Sequence, residues 1–200
     1  MTASLSIAFY VTWLATAFGI RTYLHLRRTG DTGWRGISEQ AGSAQWWGGV
    51  LFVVALVIGF VAPVAELRGL NRMIEWSPNT IMGICLALAG IGATLGAQSS
   101  MRDSWRIGVD ANELTTLRTD GAFSIVRNPI FSAMLTTAAG LALMTPNVIA
   151  VGGLACLLAA VQLQVRVVEE PYLRNVHRAA FTSYERAVGR FTPWTGRLRD

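Results

Sequence analysis

The chain has 200 residues, of which 52% are hydrophobic and only 14% are charged, and its mean hydropathy is +0.41. This composition excludes an ordinary soluble domain of this length and predicts an all-α integral membrane protein. All 17 basic residues are arginine. They border apolar segments, so orientation in a bilayer explains the net charge of +5 better than nucleic-acid binding does.

About five segments are long and apolar enough to cross a membrane as helices. They are Leu5–Leu24, Trp46–Leu67, Asn79–Gln98, Pro129–Met144 and Val148–Val168. Only three residues separate the last two, which predicts a tight antiparallel hairpin. We expect a single domain over residues 1–200, with a two-helix N-terminal part at 1–75 and a catalytic core with its tail at 76–200.

Charge counting predicts how these spans are oriented. With five spans, 15 of the 17 arginines fall on one side, and the other side has Arg68 and Arg72. We expect the protein in the plasma membrane. The positive-inside rule then places the N-terminus outside the cell and the C-terminus in the cytoplasm. Two polar blocks, Met101–Val126 and Glu169–Asp200, lie on the cytoplasmic side. The second is predicted to be helical from Pro171 to about Val188.

Glycines in the third span predict close packing. Gly92 and Gly96 form a G-x-x-x-G pair, the pattern that lets two membrane helices approach each other. Gly90 and Gly92 form a G-x-G that would equally allow a cofactor to approach the helix. No metal site is expected, because neither His25 nor His177 has a ligand spacing to another candidate.

The most informative stretch is Arg127-Asn128-Pro129, where a polar loop enters the fourth span. One interpretation is structural. The Asn128 amide would cap the helix, Pro129 would occupy the first helical position, and Arg127 would anchor the span at the interface. The other interpretation is a binding site for a charged group.

Glu169-Glu170 stands where the fifth span is expected to end. Carboxylates there would face the negative end of the helix dipole, which is unfavourable. They are either solvated, paired with Arg166 or Arg174 one turn away, or functional. Because carboxylates at membrane depth are costly, we favour function.

Taken together, these motifs resemble the isoprenylcysteine carboxyl methyltransferase family and, more broadly, the integral-membrane phospholipid methyltransferases. The resemblance covers about Asn79 to Trp194. It rests on Gly90-x-Gly92, Gly121-x-Phe123-x-x-Val126-Arg127-Asn128-Pro129-x-Phe131, Glu169-Glu170-x-x-Leu173-x-x-x-His177, and then Phe181, Tyr184, Val188, Arg190-Phe191 and Pro193. Asn128 stands where family members often have histidine, so an imidazole role at that position is lost.

The resemblance implies S-adenosylmethionine as cofactor, bound where a cytoplasmic loop and the C-terminal helix close over the spans. It implies that the cofactor is bound by Gly90, Gly92, Arg127, Asn128, Pro129, Glu169, Glu170 and the tail aromatic Tyr184. The methyl acceptor is lipophilic, namely an isoprenoid or prenylcysteine carboxylate or a phospholipid head group, and it enters from the surrounding membrane lipids.

Catalytic roles depend on that acceptor. An ionised carboxylate needs no base, whereas an amine must lose a proton, which Glu170 or His177 would accept. Gln98 ends the third span, and Trp105 and Arg106 follow it. All three are candidates for orienting the acceptor, and Arg106 is also a catalytic candidate. An NADPH-dependent membrane reductase of the sterol-reductase kind and a non-catalytic membrane scaffold remain as alternatives. The oligomeric state stays open.

Overall fold

The computed structural model describes residues 2–32, 40–101 and 116–198, apart from the side chain of residue 77. These residues form seven α-helices. They are α1 (Thr2–Leu14), α2 (Arg21–Thr29), α3 (Ala44–Leu67), α4 (Ser77–Met101), α5 (Pro129–Met144), α6 (Val148–Leu163) and α7 (Glu170–Ala187). A π-helical segment, Ala15–Ile20, joins α1 to α2, and a second one, Gln164–Glu169, joins α6 to α7.

The helices confirm an all-helical membrane protein. Four helical stretches have the length and hydropathy of membrane spans, and they are Thr2–Thr29, Ala44–Leu67, Pro78–Met101 and Val148–Ala187. The fifth expected span, α5, is apolar but has only 16 residues. At 1.5 Å per residue it is about 24 Å long, shorter than a hydrocarbon core of about 30 Å.

The helix of the fifth span does not end at Glu169-Glu170, so that prediction is wrong. Helical structure continues from α6 through the π-helical segment into α7. Pro171 lies inside this continuous helical structure, directly after the π-helical segment, where the hydrogen-bond pattern of the helix already changes. Because no helix ends at Glu170, its carboxylate does not face the negative end of a helix dipole as the sequence had suggested.

A kink then bends α7 back on itself. Arg178 has φ 46° and ψ −118°, which is not a helical conformation. Residues 11 apart in a straight helix are about 16 Å apart along its axis. Here the Arg174 guanidinium donates to both carboxylate oxygens of Glu185, at 2.9 and 2.7 Å. The kink thus brings the second arm of α7 against the first.

Glycines set the packing of α4 against α5, but they are not the predicted pair. A Cβ atom added to Gly90 would lie 2.8 Å from the Ala133 carbonyl oxygen, and one added to Gly83 would lie 2.7 Å from that of Gly140. Gly92 and Gly96 are exposed, and no described atom lies within 4 Å of their Cβ positions. The prediction that Gly92 and Gly96 pack helices together is therefore wrong within the part of the chain that the structure describes.

Polar side chains tie the helices together at the end of the bundle opposite Arg127, which we call the Arg72 end. Arg72 donates to the Thr2 hydroxyl and to the Met144 carbonyl, both at 2.9 Å. Asn147 closes the predicted α5–α6 hairpin by accepting from the Ala150 N–H and donating to the Ala62 carbonyl, both at 3.0 Å. The other end, which we call the Arg127 end, carries the candidate site.

Candidate functional site

The last described residues, Val188–Leu198, form a strap that crosses the start of α5; we call it the C-terminal strap. It pairs with the backbone before α5, where the Arg127 N–H donates to Gly189 at 2.8 Å and the Asn128 N–H donates to Arg190 at 3.1 Å. The Ser132 hydroxyl adds a bond to the Phe191 carbonyl at 2.8 Å. The strap is therefore fixed against the membrane helix that the Arg127 motif opens.

Under the strap lies an ion cluster of five side chains, of which Arg127, Glu170 and Glu185 are buried while Arg190 and Arg174 reach toward solvent. Arg127 contacts Glu170 at 2.7 Å and Glu185 at 3.7 Å. Arg190 donates to both oxygens of Glu170, at 2.8 and 2.6 Å. Since three arginines face two glutamates, the cluster has one positive charge in excess.

Glu170 is the centre of this cluster. Its side chain is 3% exposed, and its oxygens accept from Arg127, Arg190 and, at 3.4 Å, Arg174. It lies beyond the apolar part of the fifth span. Burial by itself raises the pKa of Glu170, but the hydrogen bonds from Arg190 and Arg127 outweigh burial and hold the pKa below its usual value. The carboxylate is thus held ionised, with its lone pairs directed at guanidinium groups.

Arg127 does more than anchor the span at the interface. Its side chain is 2% exposed, and besides Glu170 it donates to the carbonyls of Val188 at 2.6 Å and Gly196 at 3.1 Å. Its Nε atom is buried and has no hydrogen-bond partner among the described residues. Arg127 therefore joins α5, α7 and the strap.

Asn128 precedes α5 as predicted, but it does not cap the helix with its side chain. Its Nδ2 instead donates to the Arg190 carbonyl at 3.2 Å. Pro129 is the first residue of α5, in agreement with the sequence. The first N–H groups of α5 thus receive no side-chain cap, which leaves a helix N-terminus with donors for an anion beside the cluster.

Glu169 and His177 flank the cluster. Glu169 is half-buried and accepts a hydrogen bond from Gln164 Nε2 at 3.4 Å. His177 immediately precedes the kink at Arg178, and its Nε2 is buried without a hydrogen-bond partner among the described residues.

The π-helical segment before Glu170 is of the kind often found at functional sites.

Other predicted site residues take different places. Tyr184 is buried, and its hydroxyl donates to the Phe123 carbonyl at 2.5 Å, so it holds the turn before α5. Gly90 is packed against α5, whereas Gly92 faces outward on the same helix. Helix packing thus explains why a glycine stands at position 90. The predicted cofactor contacts of both glycines stay predictions.

Of the three candidates for orienting the acceptor, the structure describes only Gln98. Gln98 is 3% exposed, and its Nε2 donates to the Ala17 carbonyl in the first π-helical segment at 2.7 Å. Trp105 and Arg106 lie outside the described residues, so their predicted roles stay predictions.

Sequence reasoning missed Glu185 and the role of Arg190. Glu185 is a lone acidic residue 15 positions after Glu170, and no local pattern indicates that the chain turns back at Arg178. The signal that was available is the charge balance, because Glu185 is the one carboxylate in the otherwise basic stretch from Pro171 to Leu198. A buried arginine cluster predicts such a partner.

Comparison with known proteins identifies the family of the chain. The family model of phospholipid methyltransferase matches residues 78–180, more than half of the chain, from the start of α4 to the second arm of α7. No curated protein and no solved structure matches the chain significantly. The matched region contains Gly90, Arg127 and Glu170, whereas the tail residues from Phe181 to Pro193 that also carried the resemblance lie beyond it. The chain is therefore a member of the phospholipid methyltransferase family of integral-membrane enzymes.

Proposed function

We propose that this protein transfers a methyl group from S-adenosylmethionine to a lipophilic acceptor at the cytoplasmic face of the plasma membrane. The acceptor is an isoprenoid or prenylcysteine carboxylate or a phospholipid head group. The observation that carries the proposal is the arginine-rich ion cluster at the N-terminus of α5, whose buried Arg127–Glu170 pair lies inside the region that matches a methyltransferase family.

The residues at the Arg127 end fit the cofactor's charged groups. Its carboxylate suits the uncapped N-terminus of α5 together with the cluster's excess positive charge, through Arg127 and Asn128. Its ammonium and ribose hydroxyls suit Glu169, which is half-buried at the edge of the cluster. Glu170 then acts by holding Arg127 and Arg190 in place, because its own oxygens already accept from three guanidinium groups.

When bound, S-adenosylmethionine supplies a sulfonium-activated methyl carbon, whose bond to sulfur breaks as an acceptor lone pair attacks. The chain's task is to align the two reactants and exclude water, which can account for roughly 7–11 kcal/mol of the barrier. The C-terminal strap and the Tyr184 contact to the turn before α5 cover the Arg127 end and serve this exclusion.

Proton transfer is required only for an acceptor that carries a proton. Glu170 is a poor base, because its lowered pKa and its three arginine contacts keep the lone pairs engaged. His177 is the better candidate, since its buried Nε2 has no partner among the described residues. Gln98, Trp105 and Arg106 keep their predicted role of orienting the acceptor.

The orientation follows from the arginine distribution. All but two of the 17 arginines fall on the Arg127 side of the five spans, so this end faces the cytoplasm and the N-terminus faces outward. A cytoplasmic cofactor and a membrane-embedded acceptor then meet at the same interface.

Calorimetric titration of the detergent-purified protein tests the proposal. S-adenosylhomocysteine is expected to bind with micromolar or better affinity, and Arg127→Ala is expected to abolish binding, while NADPH does not bind. Binding of NADPH alone would favour a membrane reductase, and binding of neither ligand to folded protein would favour a non-catalytic scaffold. Either result would contradict methyl transfer.

A further inference from the structure

The side-chain oxygen of Gln98 is a buried hydrogen-bond acceptor that receives no hydrogen bond from the described residues. Its side chain lies in α4, three residues before the helix ends at Met101, and is 3% exposed. The Nε2 atom donates to the Ala17 carbonyl at 2.7 Å. The Oε1 atom is buried and accepts no hydrogen bond from any residue that the structure describes.

The orientation of this amide is fixed by chemistry. A carbonyl oxygen only accepts hydrogen bonds, so the atom facing Ala17 must be the nitrogen of Gln98, and the oxygen must point away from it. A buried acceptor without a donor is costly. The Gln98 oxygen is therefore complementary to a group that brings an N–H or an O–H.

The packing of α4 on α5 places Gln98 at the depth of the ion cluster. Gly83 of α4 packs beside Gly140 of α5, and Gly90 packs beside Ala133 and Thr137. The two helices are therefore antiparallel, and later residues of α4 lie beside earlier residues of α5. Both helices rise 1.5 Å per residue. Continuing this register along α4 brings Gln98 level with the start of α5, where Arg127 lies.

An apolar crevice lies deeper in the bundle on the same side of the first span. Trp13, one turn before Ala17, lines it together with Leu56, Leu141 and Leu157. The Nε1 of Trp13 is likewise buried without a partner among the described residues. The first span, whose Ala17 carbonyl orients Gln98, thus also lines an apolar space nearer the middle of the bundle.

We propose that Gln98 Oε1 accepts a hydrogen bond from the polar group of the methyl acceptor and thereby selects acceptors that carry an N–H or O–H. The inference rests on the proposed methyl transfer and narrows its acceptor class. An ionised carboxylate has no proton to donate, and its negative charge repels the Gln98 oxygen. Acceptors whose only polar group is an ionised carboxylate are therefore disfavoured.

Equilibrium binding of short-chain lipids to the protein saturated with S-adenosylhomocysteine tests this inference. Two pairs of probes differ only in the donor: phosphatidylethanolamine against phosphatidylcholine, and a polyprenol against its methyl ether. Farnesoate, an isoprenoid carboxylate with no N–H or O–H when ionised, is the fifth probe. In wild type, at least one donor-bearing lipid is expected to bind about tenfold tighter than its methyl-capped counterpart and tighter than the carboxylate.

Gln98→Leu is expected to reduce that preference to about twofold or less while leaving S-adenosylhomocysteine affinity unchanged. The matched variant Gln162→Leu removes another amide with a buried unpartnered oxygen, from α6, and is expected to retain the preference. The pair of probes that shows the preference identifies the donor as an ammonium or a hydroxyl.

Two results would overturn the inference: wild type that binds methyl-capped or carboxylate lipids as tightly as donor-bearing ones, or a Gln98→Leu variant that keeps the preference. If Gln98→Leu does not fold, the wild-type comparison alone decides. Failure of S-adenosylhomocysteine to bind wild type would refute the proposed function itself. Normal binding of S-adenosylhomocysteine without a donor preference would refute only the role of Gln98.

Discussion

Glu170 and Glu169 are adjacent and chemically identical, yet the structure predicts very different costs for replacing them with glutamine. Glu170→Gln leaves the guanidinium of Arg127, which is 2% exposed, with only the more distant Glu185 carboxylate at 3.7 Å. Breaking a buried pair in this way costs about 3–5 kcal/mol. Arg190 and Arg174, at 17% and 44% exposure, can turn toward water, so we expect the lower end, about 3 kcal/mol.

Glu169→Gln is the matched control. Glu169 is half-buried, so water screens the interactions of its carboxylate, and we expect a loss of no more than about 1 kcal/mol. Thermal unfolding in detergent, followed by tryptophan fluorescence, measures both variants. A loss of 3 kcal/mol corresponds to a fall in Tm of about 6–12 °C for a chain of this size. Equal Tm values for the two variants would refute the buried cluster.

Three further predictions concern the same end of the bundle and the glycines. Because the pKa of Glu170 is lowered, its carboxylate stabilises the folded state above about pH 4.5, and this stabilisation is lost as the pH falls. The difference in Tm between wild type and Glu170→Gln should therefore shrink below that pH. A constant difference would contradict the pKa shift. Gly90→Ala should cost more than about 2 kcal/mol through overlap with Thr137, while Gly92→Ala should be neutral or stabilise by up to about 1 kcal/mol, as measured by Tm. Gly189→Ala should displace the C-terminal strap, because the new Cβ would overlap a strap carbonyl, and so expose the cluster to proteolysis after α7; unchanged cleavage would argue against the strap.

Hydropathy and charge were sufficient to predict the membrane spans, because spanning a bilayer imposes a length and a composition that any sequence must satisfy. They failed at the end of the fifth span. A proline after two carboxylates looks like a helix end, but the π-helical segment before Glu170 lets the helix continue past Pro171. That adjustment depends on packing, and no local sequence pattern indicates it.

The site was predicted in part for the same reason. Arg127 and Glu170 stand out locally, since charged residues beside apolar spans are few. Their contact joins residues 43 apart in sequence, and Glu185 joins them only because α7 folds back at Arg178. The glycine prediction failed in the opposite way. The G-x-x-x-G spacing pointed to Gly92 and Gly96, while helix contact is made by Gly83 and Gly90, seven residues apart.

Methyl transfer to lipid is measured most directly with methyl-labelled S-adenosylmethionine, purified protein and extracted membrane lipids. We expect label to enter the organic phase with wild type, to be absent with Arg127→Ala, and to persist with the control Gln162→Leu. Absence of label with wild-type protein that is folded and binds S-adenosylhomocysteine would contradict methyl transfer to a lipophilic acceptor.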